Sequence, residues 1–167
     1  MIGPASRTRA CAPSLLAPTV VAAALVTAPA PGTAAEVVRL TQTACQFLEP
    51  EGVDRAYRST DKATCDAINA NTGADRLAHA TVLELGPGTY VFRITNRDVP
   101  YELGFWLRDR DYDWRNPVHK LTKTSVSGGG LIEGKTQDYE VTLKPGEYLY
   151  SCPLNTTPDY RLVVRGE

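Results

Sequence analysis

The sequence predicts a mainly β domain, a sandwich or barrel of short strands with a short helical insertion near residues 59–79, and three observations carry that prediction. From about residue 80 onward, short apolar and alternating runs recur at regular intervals between turns rich in Pro and Gly. Two of these turns belong to an internal echo. Leu85-Gly86-Pro87-Gly88-Thr89-Tyr90-Val91-Phe92 aligns with Leu143-Lys144-Pro145-Gly146-Glu147-Tyr148-Leu149-Tyr150. Each reads as a hairpin: a strand, a Pro-Gly turn and a second strand with aromatics two residues apart. Between residues 59 and 80 the texture changes to cap residues and alanines, with a stop signal at Gly73.

In chain order, residues 1–35 carry only Arg7 and Arg9 as charges, followed by an Ala/Pro/Val-rich stretch that ends in the small residues Thr33-Ala34-Ala35. This pattern reads as a secretory signal cleaved before Glu36, which leaves 36–167 as a single domain in the periplasm or outside the cell. Residues 36–43 alternate apolar and polar and predict an edge strand. Ser59-Thr60-Asp61 can cap a helix bearing Ala63, Ala67, Ile68 and Ala70, and Asn71-Thr72-Gly73 suggests a break before a second short run containing Leu77. Further strands are expected at 81–85, 89–96, 102–108, 136–143, 147–152 and 160–165. Two longer connections interrupt them. Residues 109–123 are charged and carry Trp114 and His119, and 125–134 contain Gly128-Gly129-Gly130, read as a flexible or tightly turned segment.

Charge and cysteine content narrow the function classes. The 167 residues hold 18 basic and 19 acidic side chains, and loss of Arg7 and Arg9 with the leader takes the net charge from −1 to −3. That balance lacks the basic footprint of a dedicated nucleic-acid binder, so no nucleic-acid partner is expected. The body of the chain has no apolar run long enough for a membrane span. Of the 4 cysteines, Cys11 leaves with the leader. Cys45, just after the first strand, and Cys65, in the helical stretch, are predicted to form a disulfide closing a loop of about 20 residues, worth roughly 3 kcal/mol. Cys152 is then the odd thiol, and in an oxidising compartment it must be sheltered, bind something or pair with another chain.

Two segments together resemble the cupredoxins, the small blue-copper electron carriers and their relatives. They are Phe92-Arg93-Ile94-Thr95-Asn96-Arg97-Asp98-Val99-Pro100-Tyr101-Glu102-Leu103-Gly104-Phe105 and Pro145-Gly146-Glu147-Tyr148-Leu149-Tyr150-Ser151-Cys152-Pro153. In that family a strand ending in Asn leads to a Pro-His whose imidazole binds copper, and a later Gly-x-Tyr-x-aromatic-x-Cys hairpin delivers the thiolate. A second His follows, with a Met beyond it. The resemblance implies a Greek-key β-sandwich and makes Cys152 the retained ligand. The remaining ligand positions differ: Tyr101 replaces the first His, Asn155 stands where the second is expected, and Tyr160 lies near the axial position. The only Met in the chain is Met1. Tyr101 and His119 are therefore the candidates to join Cys152 at a metal, with Asn155 and Tyr160 as degenerate ligand positions. Glu102 and Asp159 are nearby oxygen donors, and His79 has no family counterpart.

Three readings of Cys152 remain open on the sequence: a buried structural thiol, a metal-bound thiolate and a disulfide-forming cysteine. Copper, iron held through the Tyr101 phenolate, and no metal are all consistent with the residues, and Tyr101 can equally be a plug filling the lost imidazole's space. The resulting expectation is an exported cupredoxin-like binding protein, handling a transition metal or serving a redox partner in electron transfer through a non-standard site. The alternative is a metal-free interaction or scaffold protein that recognises a protein partner through an aromatic rim of Tyr101, Phe105, Trp106 and Trp114. An enzyme is not expected, because a nucleophilic Cys152 would need His79 or His119 as base and no local motif pairs them. The Asn155-Thr156-Thr157 triplet is also a glycosylation sequon.

Overall fold

The computed structural model describes residues 1, 3 and 35–166; the secretory reading of residues 1–35 therefore lies almost wholly outside the described residues. Residues 35–166 contain all of the described secondary structure. Two mixed sheets carry nine strands. One sheet has the order β2-β1-β4-β7, built from β1 (Glu36–Thr43), β2 (Gln46–Phe47), β4 (Gly88–Asn96) and β7 (Thr136–Leu143). The other has the order β3-β9-β8-β5-β6, from β3 (Leu83–Leu85), β5 (Leu103–Asp109), β6 (Ser125–Leu131), β8 (Gly146–Ser151) and β9 (Tyr160–Val164). The pairs β1/β4 and β3/β9 are parallel and all others antiparallel.

The core follows from period-2 alternation. On β4, Tyr90, Phe92 and Ile94 point inward, and on β5 Leu103, Phe105 and Leu107 meet them from the other sheet. Phe92 stacks on Phe105 at 5.7 Å between ring centroids, and Phe47, Tyr139, Tyr150 and Tyr160 extend this aromatic cluster. Each such pair adds about 0.5–1.5 kcal/mol beyond the area it buries. Phe105 thus belongs to the core and not to a surface rim: its parity on β5 is that of Leu103 and Leu107.

The internal echo is real, but neither copy is a hairpin. β3 and β4 lie in different sheets, as do β7 and β8, so each Pro-Gly turn carries the chain across from one sheet to the other. In both copies a tyrosine secures the corner. Tyr90 donates its hydroxyl to the carbonyl of Gly86 at 2.9 Å, and Tyr148 to that of Lys144 at 2.8 Å, each four residues upstream. This device resembles the tyrosine corner of other sandwiches.

The helical insertion is one 18-residue helix, α2 (Lys62–His79), preceded by the single turn α1 (Leu48–Glu51). Asp61 caps α2 by accepting the Thr64 N–H at 2.9 Å. The break expected at Asn71-Thr72-Gly73 does not occur. Asn71 and Thr72 turn their side chains back to the carbonyls of Ala67 and Ile68, and Gly73 is buried with the Pro158 ring 4.0 Å from where a Cβ would stand. Tertiary packing outweighs the roughly 1 kcal/mol helix penalty of glycine.

The glycine-rich segment forms the edge strand β6 and is not a loop. A Cβ on Gly104 would lie 2.7 Å from the Gly128 carbonyl oxygen, and one on Gly128 would lie 2.9 Å from the Tyr139 ring. Bare backbone is what allows β5, β6 and the Tyr139 ring to approach this closely. Between β5 and β6 the chain makes an excursion with the short helix α3 (Pro117–Thr122), which the sequence reading did not anticipate.

Candidate functional site

The residues that end β1, β4 and β8 and begin β5 converge at one end of the two sheets, around Cys152. Its thiol is 1% exposed and accepts backbone N–H groups from Gly104 at 3.4 Å and Asn155 at 3.2 Å. Burial pushes its pKa up, and those N–H contacts offset only part of the effect. A thiol in this setting stays protonated and behaves as a small hydrophobe.

Asn155 is the hub beside it. Its Oδ1 accepts the Cys45 N–H at 2.8 Å and the Tyr101 hydroxyl at 3.0 Å, and its Nδ2 donates to the Thr43 carbonyl at 2.8 Å. The Cys65 sulfur also lies 3.2 Å from Oδ1, but as half of a disulfide it has no proton to give, so this is a packing contact. With Asn155 fully buried and Nδ2 committed, the sequon is closed to glycosylation in the folded chain. Tyr101 is half-buried, and its hydroxyl also meets Ser59 Oγ at 2.8 Å, which itself donates to the Asp61 carbonyl at 2.6 Å. Burial pushes the Tyr101 pKa up, which keeps the phenol neutral.

A second cluster, not anticipated from sequence, meets the first at Cys45. Arg76 is 1% exposed and donates to Glu51, to Asn69 and to the Cys45 carbonyl, while the Tyr57 ring lies 5.2 Å from its guanidinium carbon. The Glu51 carboxylate also accepts from the Tyr160 hydroxyl and from Arg55. Burial acts to raise the Glu51 pKa, but the hydrogen bonds from Arg76, Tyr160 and Arg55 prevail and hold it below the usual carboxylate range. Cys45 itself adopts a left-handed conformation, φ 62°, at the tight β1–β2 turn. Its N–H is taken by Asn155, its carbonyl by Arg76, and its sulfur by Cys65 in the predicted disulfide.

A cleft of about 630 Å³ opens over this end, lined by Thr43, Tyr57, Arg58, Ser59, Thr60, Arg97 and Pro100 among others. Ser59 connects it to Tyr101 and so to Asn155. Ala56, with φ 53°, and Asp98, with φ 63°, also line it; a left-handed alanine costs of order 1–2 kcal/mol that the surrounding contacts must offset.

The structure thus brings Cys152, Tyr101 and Asn155 together. It places Tyr160 with Glu51 and Arg76, and it puts His119 elsewhere. His119 lies in α3, which follows the Asp109 end of β5, whereas Cys152 lies beside the Gly104 end, about 16 Å away along extended strand. The His119 Nδ1 instead accepts the Asp113 N–H at 3.0 Å. His79 is exposed and bonds to the Asp75 carbonyl. Trp106 is half-buried under Arg108, and Trp114 is exposed. Among the described residues no three His, Cys, Asp or Glu side chains gather as a metal site would require.

These residues do not fit a blue-copper centre, which needs two imidazoles and a thiolate in trigonal array. Beside Cys152 stand a neutral phenol, Tyr101, and an amide, Asn155, already engaged by three hydrogen bonds. No family model matches the chain, and no curated protein matches it. Asn155 and Tyr101 were singled out in the sequence only through the cupredoxin resemblance; nothing comparable marked Glu51, Arg76 or Ser59.

Proposed function

We propose that the protein is an exported, metal-free cupredoxin-like interaction domain, in which the copper-binding end of the Greek-key sandwich has become a hydrogen-bonded brace beneath a recognition cleft. The observation that carries this reading is the commitment of Asn155: both polar atoms of its side chain are consumed in tying Cys45, Thr43 and Tyr101 together. A metal at Cys152 would have to break that brace and deprotonate a buried thiol. The cleft above it, with hydroxyl groups, Tyr57, Arg58 and Arg97 in its walls, has the mixed polar and aromatic lining that recognition sites use.

The competing reading, transition-metal handling through Cys152 and Tyr101, is tested by titrating the protein with Cu(II), Cu(I) and Fe(III) beside Cys152→Ser. The expected result is no stoichiometric complex that depends on Cys152. A one-to-one complex with visible absorption, lost in Cys152→Ser, would overturn the proposal in favour of metal handling.

A further inference from the structure

The segment between α1 and α2 contains strand-like backbone that pairs with no strand. From Asp54 to Ser59 the chain runs without turn or bend, and exposure alternates along its second half: Tyr57 is half-buried, Arg58 exposed, Ser59 buried and Thr60 exposed. That is the period-2 pattern of a strand lying on a sandwich. Among the described residues, the backbone N–H groups of Tyr57, Arg58 and Ser59 and the carbonyls of Tyr57 and Arg58 take part in no hydrogen bond. These residues belong to the lining of the cleft over the Cys152 end, which runs from Ala56 to Thr60 on this side.

This open stretch is anchored at both ends. Before it, the fully buried Gln46 donates Nε2 to the Val53 carbonyl at 2.9 Å and accepts the Arg55 N–H on Oε1 at 3.1 Å. Asp54 accepts the Ala56 N–H at 2.8 Å and forms an ion pair with Arg97, which also lines the cleft. After it, the Ser59 hydroxyl is tied to the Asp61 carbonyl and to Tyr101, and the Cys45–Cys65 disulfide closes the loop outside both anchors. Backbone fixed in this way has already lost much of the conformational freedom that binding would otherwise cost. Charge does not define the occupant. Asp54 and Arg97 neutralise each other, and the two lining charges without an ion-pair partner among the described residues, Arg58 and Asp98, are of opposite sign. What the stretch offers in excess is main-chain donors and acceptors.

We infer that the cleft takes an extended peptide segment, whose main chain pairs with Tyr57–Ser59 as an added strand. The inference rests on the reading of this end as a recognition cleft and names the class of ligand. Pairing of this kind reads N–H and C=O groups that every peptide shares, so it tolerates many sequences and leaves preference to the alternate side chains that enter the cleft.

The test presents the full chain to an array of acetylated, amidated octapeptides of random sequence, and the strongest uncharged binder is then made in solution. The expected result is binding by many unrelated sequences. With the soluble peptide, amide exchange should slow at Arg58 or at Tyr57 and Ser59, the two alternating sets of a strand edge. N-methylation of the peptide at alternate positions should weaken binding about tenfold or more for one parity and leave the other within about twofold. Arg58→Ala removes an exposed side chain and keeps the backbone, so it should bind within about twofold of the wild type. An array with no binder would overturn the inference, as would binding without slowed exchange at these amides or with equal loss for both N-methyl parities. A tenfold loss in Arg58→Ala would assign recognition to the side chain and overturn it too. A copper or iron complex that depends on Cys152 would instead overturn the reading of this end on which the inference rests, and the metal titration reports that without any peptide.

Discussion

At the scale of single residues, the fold depends on buried polar side chains, Asn155, Glu51 and Arg76, each held by several hydrogen bonds. Asn155→Ala strands the Cys45 N–H and the Thr43 carbonyl, so it is expected to cost about 3 kcal/mol in denaturant unfolding; a loss below about 0.5 kcal/mol would remove Asn155 as the brace. Glu51→Gln leaves Arg76 buried without its counterion, and about 3–5 kcal/mol should be lost. The pH dependence has a definite sign. The Glu51 pKa is lower in the folded than in the unfolded chain, so its contribution is complete above the unfolded value, near 4.5, and disappears as pH falls through the folded value. Urea midpoints measured between pH 6 and 3 should therefore fall more steeply for the wild type than for Glu51→Gln. Parallel profiles would contradict the assignment. Little of this was legible beforehand, because nothing in a single sequence distinguishes a buried Arg76 from a solvated one. The second run of the helical reading was marked by Leu77, yet Leu77 is exposed and its neighbour Arg76 is buried. The inward side of α2 carries Cys65, Ile68, Asn69, Gly73 and Arg76; Ile68 was in the sequence reading, but the polar members leave no apolar stripe for a hydrophobic pattern to reveal.

At the scale of elements, the regular strands were legible because each buries one face, and alternation records that burial directly. β1, β4, β5, β7, β8 and β9 all lie within a few residues of their predicted positions. β6 was not visible, since Ser125 to Leu131 has almost no side chains with which to show a period. Its glycines are explained only by what they approach. Gly104→Ala, which would press a methyl group against the Gly128 carbonyl, should therefore destabilise by about 1–3 kcal/mol, whereas Gly86→Ala, with nothing within 4 Å, should be close to neutral in the same unfolding assay. Equal effects at both sites would mean that β5 and β6 do not depend on close approach. The corners allow a similar check. Loss of the Tyr148 hydroxyl in Tyr148→Phe removes its bond to Lys144 and should cost about 1 kcal/mol, with Tyr90→Phe giving a similar value if the two corners are equivalent. The disulfide was anticipated from the positions of Cys45 and Cys65 beside the first strand and in the helical stretch, and the structure forms it between two fully buried sulfurs.

At the scale of the whole molecule, two sheets joined through Pro-Gly corners and an aromatic core create one end where four strand termini meet. The sequence resemblance pointed to that end through Tyr101, Cys152 and Asn155, and the structure brings those three residues together. What it did not foresee was the use of the same end as a brace tied through Cys45 to the Glu51–Arg76 cluster, because hydrogen-bond partners 110 residues apart leave no local pattern. If this end is a blue-copper site converted to a brace, restoring the two imidazoles should restore the metal chemistry. The deciding measurement is copper uptake and visible absorption of Tyr101→His/Asn155→His, beside the wild type, after confirming cooperative unfolding of both. The account predicts that the double variant binds one copper per chain with an intense thiolate-to-copper band that is abolished by adding Cys152→Ser, and that the wild type shows neither. A folded double variant without copper, or a wild type that already shows the band, would contradict it.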